Sequence, residues 1–405
     1  MDSRSDLTGK KVVVGMTGRM DSAMAAFLLK KQGMQVIGLS IVTVSEDIVE
    51  KDKYLPACHI NDLDQVQKLC KFLNIPFYAT NARPRFEEEV LDKLVSNKLL
   101  GKANSSCFDC ARARMKILHS KMEELGADFI ATGHYAKVRI NLRSKNYYLC
   151  SSGEESSDQS FLLAGTPNYV LEKLLLPLGE LSKKEVLKYV KHFALPVANS
   201  IPLDGFCFQS RKASKKVIGD RVPKSLKRPG NAINVETGTT IGEHEGMANH
   251  YITEKEPFLK GASHIDKELE VVAFDYPTAS LLIGRPSRLK FSGVQLSRLN
   301  TMEGLDRSRP MQCFVKFKYS KKFSKADLFF KNNESAFLEF HEPVYPLVEN
   351  ESIVLYESAS NNSKVVGWGL LGVRGDFELL NRVESFEDEE VDEDQPKAAP
   401  TLFRF

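Results

Sequence analysis

Hydrophobic and polar positions along the first half of this chain switch between two periods. Short β-branched runs are followed by stretches with apolar residues three and four apart. That alternation builds a parallel sheet covered by helices. Val12–Met16 reads as the first strand, with a helix from Ser22 to about Gln32. Val36–Val42 is a second strand, Asn61–Leu73 a helix and Phe77–Ala79 a third strand. Pro84–Leu99 and Ala111–Leu125 are helical, and Phe129–Thr132 is a strand that runs into Gly133-His134-Tyr135. Ser182, with Glu185 three residues on, reads as the capping box of a helix ending near Phe193. Beyond about residue 210 the helical period fades. Short Gly-punctuated strands such as Ala232–Val235 come first. Then Met311–Phe317, Phe337–Phe340, Ile353–Tyr356 and Val365–Leu371 alternate with turns, which predicts a small barrel. The expected units are 1–210, 211–284 and 285–382, with an acidic, disordered tail over 383–405.

Composition narrows the function classes. The chain has 405 residues and a formal charge of only +3, so no global basic field marks a nucleic-acid binder. Charge is uneven, however. Residues 211–228 are strongly basic and could follow a phosphate backbone or form a solvated helix face, while 384–394 are strongly acidic. No apolar run is long enough to span a bilayer, and MDSRSDLTGKK lacks the apolar core of a signal peptide. The expected compartment is the cytoplasm, with no membrane partner. Seven cysteines there point to reduced thiols, metal ligands or redox chemistry rather than a disulfide framework.

The chemistry concentrates at two places. Gly15-Met16-Thr17-Gly18-Arg19-Met20-Asp21-Ser22 joins the first strand to the first helix. Backbone N–H groups, a helix N-terminus and hydroxyls meet there, which suits phosphate, and Asp21 suits the Mg2+ that accompanies a nucleotide. Neither the Walker A pattern nor the dinucleotide G-x-G-x-x-G fits. Thr17–Ser22 resembles the pyrophosphate loop (PP-loop) of the ATP-pyrophosphatase superfamily, S-G-G-x-D-S, with Thr for the first Ser and Arg19 for the second Gly. An arginine there could clamp a phosphate through its fork or obstruct the loop.

The second place is Cys107-Phe108-Asp109-Cys110, ahead of the helix expected near Ala111, together with Cys207 in Asp204-Gly205-Phe206-Cys207-Phe208. A cysteine at a helix N-terminus is a better nucleophile, and Arg112 and Arg114 add positive potential. Two of these cysteines could cycle through persulfide and disulfide states, or all three could hold an iron–sulfur cluster with one open site. Cys58, Cys70, Cys150 and Cys313 read as small buried hydrophobes.

Together these segments resemble the tRNA-specific 2-thiouridylases over roughly residues 10–380. The matching pieces occur in order. They include the loop, Cys58-His59-Ile60-Asn61-Asp62-Leu63, the nearly complete Gly126–Tyr135 element, Asp158-Gln159-Ser160, Leu195-Pro196-Val197-Ala198 and Gly205-Phe206-Cys207-Phe208. The resemblance implies an α/β chain. It would have a Rossmann-like PP-loop domain of the adenine nucleotide alpha hydrolase type, a small central domain and a C-terminal β-barrel. It also implies a reaction in which ATP adenylates O2 of a wobble uridine in tRNA, and sulfur then displaces AMP. Gly15 to Ser22 would bind ATP with Asp21 near Mg2+, Gly133 would lie against the nucleotide, and the Ile41 backbone would meet the adenine. Cys110 would be the nucleophile and Cys207 the persulfide carrier, with Cys107, Cys110 and Cys207 the ligands of a [4Fe–4S] cluster where one forms. Ser157, Asp158 and Gln159 would contact tRNA, as would Lys318 and Tyr319 in the barrel. A sulfur donor such as a cysteine desulfurase or relay protein would be a partner. The chain departs from the family at Asn104-Ser105-Ser106 (P-N-P in the family), Ser157 (Lys), Pro202-Leu203-Asp204-Gly205 (D-S-x-G) and Thr253–Pro257 (G-Q-R-K-G). Two other readings use the same residues: a paralogue that thiolates another RNA or a small molecule, and a non-catalytic tRNA-binding protein.

Overall fold

We describe residues 6–44, 63–100, 102–103, 106–197, 221–222, 227–257, 259–262, 266–317 and 322–375 of a computed structural model. The N-terminal sheet is formed by β1 (Lys11–Gly15), β2 (Gln35–Val42), β3 (Phe77–Asn81), β4 (Phe129–Ala131) and the two-residue β7 (Leu174–Leu175), in the order β3-β2-β1-β4-β7. Every pairing is parallel. The chain runs from β1 outward to β3, then returns to the other side of β1. The carboxyl ends of β1 and β4 therefore flank the topological switch point, where open α/β sheets bind ligands.

Val12 and Val14 pack into one core cluster and Val13 into the other, as the period-two pleat requires. Helix α1 (Met20–Lys31) covers the first face. Ser22 through Ala26 are all buried, so α1 is enclosed rather than amphipathic. Its small residues allow close approach to the sheet. On its outer side the Phe27 ring meets Phe193, with centroids 4.5 Å apart, just beyond α8 (Lys183–His192). The expected capping box at the start of α8 is present, with Ser182 and Glu185 bonded reciprocally. Helix α2 (Leu63–Phe72) lies on the same face.

The expected Pro84–Leu99 helix runs without interruption from Arg83 to Leu99 as α3 (Arg83–Phe86), a π-helical segment (Glu87–Leu91) and α4 (Asp92–Leu99). The helix carrying Cys107 and Cys110, α5 (Ser106–Glu124), begins five residues earlier than its periodicity suggests. Phe108 explains the extension. It is 3% exposed and packs against Phe161 and against Trp368 of the barrel, so a tertiary contact draws the cysteine segment into helix. A hairpin of β5 (Lys137–Ile140) and β6 (Tyr147–Cys150) follows β4. Two short helices, α6 (Ser160–Leu163) and α7 (Asn168–Leu171), then lead to β7.

A second sheet takes the order β10-β11-β8-β9, from β8 (Gly230–Asn234), β9 (Thr240–His244), β10 (Glu270–Asp275) and β11 (Ser280–Gly284). Six more strands, β12 (Phe291–Thr301), β13 (Met311–Phe317), β14 (Ser324–Phe330), β15 (Ala336–Val344), β16 (Ser352–Tyr356) and β17 (Val365–Gly375), close into a barrel. The barrel has its own core and also extends one N-terminal core cluster through Val354, Tyr356 and Val365. Residues 211–220 and 223–226 of the basic segment and the acidic tail lie outside the described residues.

Candidate active site

The loop after β1 is held by its own side chains. The Thr17 amide donates to Ser22 Oγ at 3.1 Å, and Ser22 Oγ donates to the Arg19 carbonyl at 3.2 Å. Thr17 Oγ1 and Ser22 Oγ are also 3.1 Å apart. Gly18 carries φ +77°, a left-handed conformation that glycine adopts without strain. Arg19 has φ −106° and ψ 170°, extended backbone open to any residue, and it is the N-cap of α1. Asp21 stands in the first turn of that helix. Its carboxylate accepts a 2.5 Å hydrogen bond from the hydroxyl of fully buried Tyr135. Burial raises the Asp21 pKa above the usual carboxylate value, opposed by the Tyr135 bond and the charges of Lys183 and Arg19.

The turn after β4 closes the opposite wall. A Cβ built on Gly133 would sit 2.5 Å from the Asp21 carbonyl carbon and 2.7 Å from the Ser22 nitrogen, so two backbones touch where a side chain has no room. His134 Nδ1 lies 2.8 Å from Thr132 Oγ1. Burial, helped by the Arg114 charge, lowers its pKa to about 4, so the imidazole is neutral at physiological pH.

These pieces line one cavity that opens to solvent at the switch point of the sheet. Gly15, Met16, Thr17, Arg19, Asp21 and Ser22 form its floor; Leu39 and Ile41 bring apolar surface; Thr132, Gly133 and His134 face them. Gln159 and Arg114 complete the wall. The sequence thus placed the loop, Ile41 and the Thr132-Gly133-His134 turn at one site; Gly18 and Met20 of the loop do not line the cavity, and the structure adds Gln159 as a wall residue, Arg114, and Tyr135 behind Asp21.

Cys107 and Cys110 lie in the first two turns of α5 rather than ahead of it, three residues apart on one side of the helix. Cys110 is buried, and Arg114 Nε donates to its sulfur at 3.3 Å. Cys70, Cys150 and Cys313 are free, buried thiols whose pKa values burial pushes up to about 11, 11 and 12, as inert core cysteines require. Cys58 and Cys207 lie outside the described residues, as do Lys318 and Tyr319. Among the described residues no group of three or more His, Cys, Asp or Glu side chains could hold a metal.

The Ser157-Asp158-Gln159 segment does more structural work than a tRNA contact implies. Ser157 is buried, and its hydroxyl accepts the Lys183 amide at the start of α8. The Asp158 side chain is 3% exposed and pairs with Lys316 of β13 at 2.9 Å, while accepting bonds from the Ser152 and Ser160 amides and the Ser160 hydroxyl. Lys316 also lies 4.4 Å from the Phe323 ring centroid. Gln159 exchanges bonds with Tyr135: its amide donates to the Tyr135 carbonyl at 2.8 Å and its Oε1 accepts the Tyr135 amide at 3.1 Å. Asp158 therefore fastens the barrel to the N-terminal part of the chain, and its neighbour braces the residue that holds Asp21. Sequence order gave no sign of this, since Asp158 and Lys316 are distant in the chain.

Comparison with known proteins agrees with this geometry. Residues 10–211 match the family model described as tRNA methyl transferase HUP domain, and 291–371 match one described as aminomethyltransferase beta-barrel domain. The chain is 29% identical over 369 residues to a protein of Clostridium beijerinckii named tRNA-specific 2-thiouridylase MnmA, covering 89% of this chain and 98% of that one. A protein of the same name from Clostridium perfringens is 28% identical, with 90% and 99% covered. Among solved structures, a 4-thiouridine synthetase–RNA complex with bound ATP shows 17% identity over 46% of this chain and 41% of that one. Its TM-score is 0.32.

Proposed function

The chain belongs to the tRNA-specific 2-thiouridylase family, and from that premise we propose that it is an ATP-dependent tRNA sulfurtransferase acting on O2 of the wobble uridine. The observation that carries the reading is the convergence at the switch point. One cavity is lined by the phosphate-loop residues, by a backbone-tight Gly133 turn and by an arginine bonded to Cys110.

ATP lies in the cavity with its phosphates on the Thr17–Ser22 loop and the N-terminus of α1. Leu39 and Ile41 offer apolar cover to the base. The Asp21 carboxylate, oriented by Tyr135, would hold a Mg2+ ion, which would supply positive charge for the departing pyrophosphate. Uridine O2 attacks the α-phosphorus; the new O–P bond replaces the bond to pyrophosphate, which leaves. The amide-like carbonyl oxygen has become a leaving group, and a soft sulfur nucleophile suffices for the next step. Cys207 brings a persulfide formed by a donor of the cysteine desulfurase or relay class. The Cys110 thiolate attacks the inner Cys207 sulfur, the freed sulfide adds to C2, and AMP carries the oxygen away. A Cys110–Cys207 disulfide remains, which a thiol reductant reopens. Cys107, one turn from Cys110, makes a second route available. Cys107 and Cys110, on one helix, would hold a [4Fe–4S] cluster together with Cys207, and the cluster would supply an open site for sulfide. No described helix is long and apolar enough to cross a membrane, and we place the reaction in the cytoplasm.

Deleting the gene and measuring wobble 2-thiouridine in bulk tRNA by mass spectrometry tests the reading. We expect loss of the nucleoside, restored by the wild-type gene and not by Cys207→Ser. An unchanged level refutes the function. Iron and sulfide analysis of anaerobically purified wild type and Cys107→Ser separates the two sulfur routes.

A further inference from the structure

A strained position in the barrel stands beside the helix that carries Cys107 and Cys110. Arg298, in β12, has φ +49°, in the left-handed region that is unfavourable for a residue with a Cβ. Strand register explains why the strain falls there. Ser297 pairs with Leu370 of β17, and Asn300 with Trp368, so Arg298 and Leu299 together oppose the single residue Gly369. That is a β-bulge, which re-aims a side chain. Leu299 keeps its place in the barrel core, while Arg298 is exposed. Among the described residues no hydrogen bond or ion pair engages the Arg298 guanidinium.

The bulge faces α5. Trp368, on its flank, packs against Phe108 with ring centroids 5.1 Å apart. The charge of Arg298 acts on the next residue, Asp109, together with the charges of Lys93 and Arg112. Arg112 and Lys93 are paired with that carboxylate at 3.0 and 4.0 Å, and Glu89, the acid that also acts there, is paired with Arg85 at 2.6 Å. Arg298 thus adds positive charge at a spot where the nearby acids already have partners. Asp109 lies between the two cysteines in the first turns of α5, and Arg114, Met115 and Leu118 farther along the same helix line the nucleotide cavity. From Asp109 to Arg114 is about 7.5 Å along the helix axis.

We propose that Arg298 binds a backbone phosphate of the RNA substrate, next to the nucleotide whose base enters the site. This deepens the reading above and rests on it. A base reaches a buried thiol such as Cys110 only when it leaves its stack, and the sugar–phosphate chain then stays outside. Cations on the rim hold that chain in register. An arginine suits the task, because its fork matches a phosphate and it stays charged at every working pH. The contact between Trp368 and Phe108 ties the bulge to α5, so the barrel sets the phosphate's place relative to the cysteines. The strained backbone is the cost of aiming the side chain there.

The test measures affinity of the full-length protein for an unmodified tRNA transcript with a wobble uridine, across a KCl series, beside thermal melting. Arg298→Gly relaxes the backbone and removes the cation. We expect its melting temperature to rise by about 2 °C. We expect tRNA affinity at low salt to fall about tenfold. The slope of log affinity against log salt should become shallower by about 0.7–0.9, the contribution of one phosphate. Arg298→Asn, which also tolerates a left-handed backbone, should change the slope equally and serves as the reporter if the glycine variant does not fold. Arg298→Lys should keep the slope, because counter-ion release follows charge. Arg309→Ala removes another exposed barrel arginine, one paired with Asp306, and should leave the slope alone. An unchanged slope in Arg298→Gly and Arg298→Asn overturns the proposal, and if persulfide loading by a donor protein slows instead, the cation serves a protein partner. An equal loss in Arg309→Ala would reveal a diffuse field of the barrel and overturn it too. Wild-type protein that binds no tRNA overturns the functional reading itself.

Discussion

Gly133→Ala is the sharpest probe of the cavity wall. The added methyl carbon would lie 2.5 Å from the Asp21 carbonyl carbon, 2.6 Å from its oxygen and 2.7 Å from the Ser22 nitrogen. These distances fall roughly 1 Å short of the ~3.5 Å at which carbon atoms make favourable contact. All three obstacles are backbone, so no side chain can rotate away. Gly133 is also outside the left-handed region, so the whole effect is one of space. Relief requires the Thr132–His134 turn and the start of α1 to separate. Overpacking of this kind costs about 1–3 kcal/mol, or a few degrees of melting temperature for a domain of this size. The larger effect falls on the nucleotide, because the displaced atoms carry the loop amides. A hydrogen bond to a charged group is worth about 1.5–3 kcal/mol, so one lost phosphate contact weakens ATP about 10- to 100-fold. Thermal melting and ATP titration of the purified variant measure both terms. Gly126→Ala is the control. That glycine has φ +58° and open space around its Cβ, so the variant should lose about 1–2 kcal/mol of stability and keep its ATP affinity. A Gly133→Ala protein that melts and binds ATP like the wild type would refute the reasoning.

Tyr135→Phe removes a donor from a carboxylate already destabilised by burial, so the Asp21 pKa rises further and the acid limb of ATP binding should shift to higher pH; an unmoved limb in a pH series of ATP titrations contradicts this. Lys316→Met strands a buried carboxylate and should cost about 3 kcal/mol in denaturant unfolding, with part recovered in the Asp158→Asn, Lys316→Met double variant. Equal losses in the single and double variants would argue against the pair. Lys98 is 8% exposed, and burial lowers its pKa from 10.5 to about 8. The unfolded chain therefore holds more protons than the folded one between these values, the burden is full below pH 8, and stability is regained as pH rises toward 10.5. Lys98→Met should accordingly melt above the wild type at pH 7, with the gap closing by pH 10, and a gap that widens with pH would reverse the sign.

Much of the fold could be read locally, and what escaped was tertiary. The Val12–Val14 run, the Ser182–Glu185 box and the Met311–Phe317 strand each announce themselves within a few residues, because pleat and cap depend only on near neighbours. The start of α5 did not. Ser106-Cys107-Phe108-Asp109 are weak helix formers, and the segment is helical because Phe108 finds Phe161 and Trp368. The same divide runs through the site. A phosphate loop is a short motif, so Gly15–Ser22 was visible. The Arg114–Cys110 bond needs the helix to begin early enough for both to lie on it. The role of Asp158 needs the barrel, because its partner arrives from β13.

The arginine in the phosphate loop shows how such a departure is accommodated. A second glycine at that position would matter if the backbone there were left-handed. Gly18 takes the positive φ, whereas Arg19 takes extended N-cap angles that any side chain tolerates. The substitution therefore leaves the backbone that presents the amides intact. What changes is charge: Arg19 lines the cavity and acts on Asp21 with the same sign as Lys183. A cation at a helix N-terminus is locally unfavourable, because the helix dipole already points its positive end there. A bound triphosphate reverses that balance by adding several negative charges at the same point. Arg19 should thus destabilise the empty protein slightly and favour the ATP-bound one. Arg19→Gly then raises the melting temperature of the apo protein while weakening ATP, and a variant that binds ATP more tightly than the wild type would mark Arg19 as an obstruction rather than a phosphate ligand.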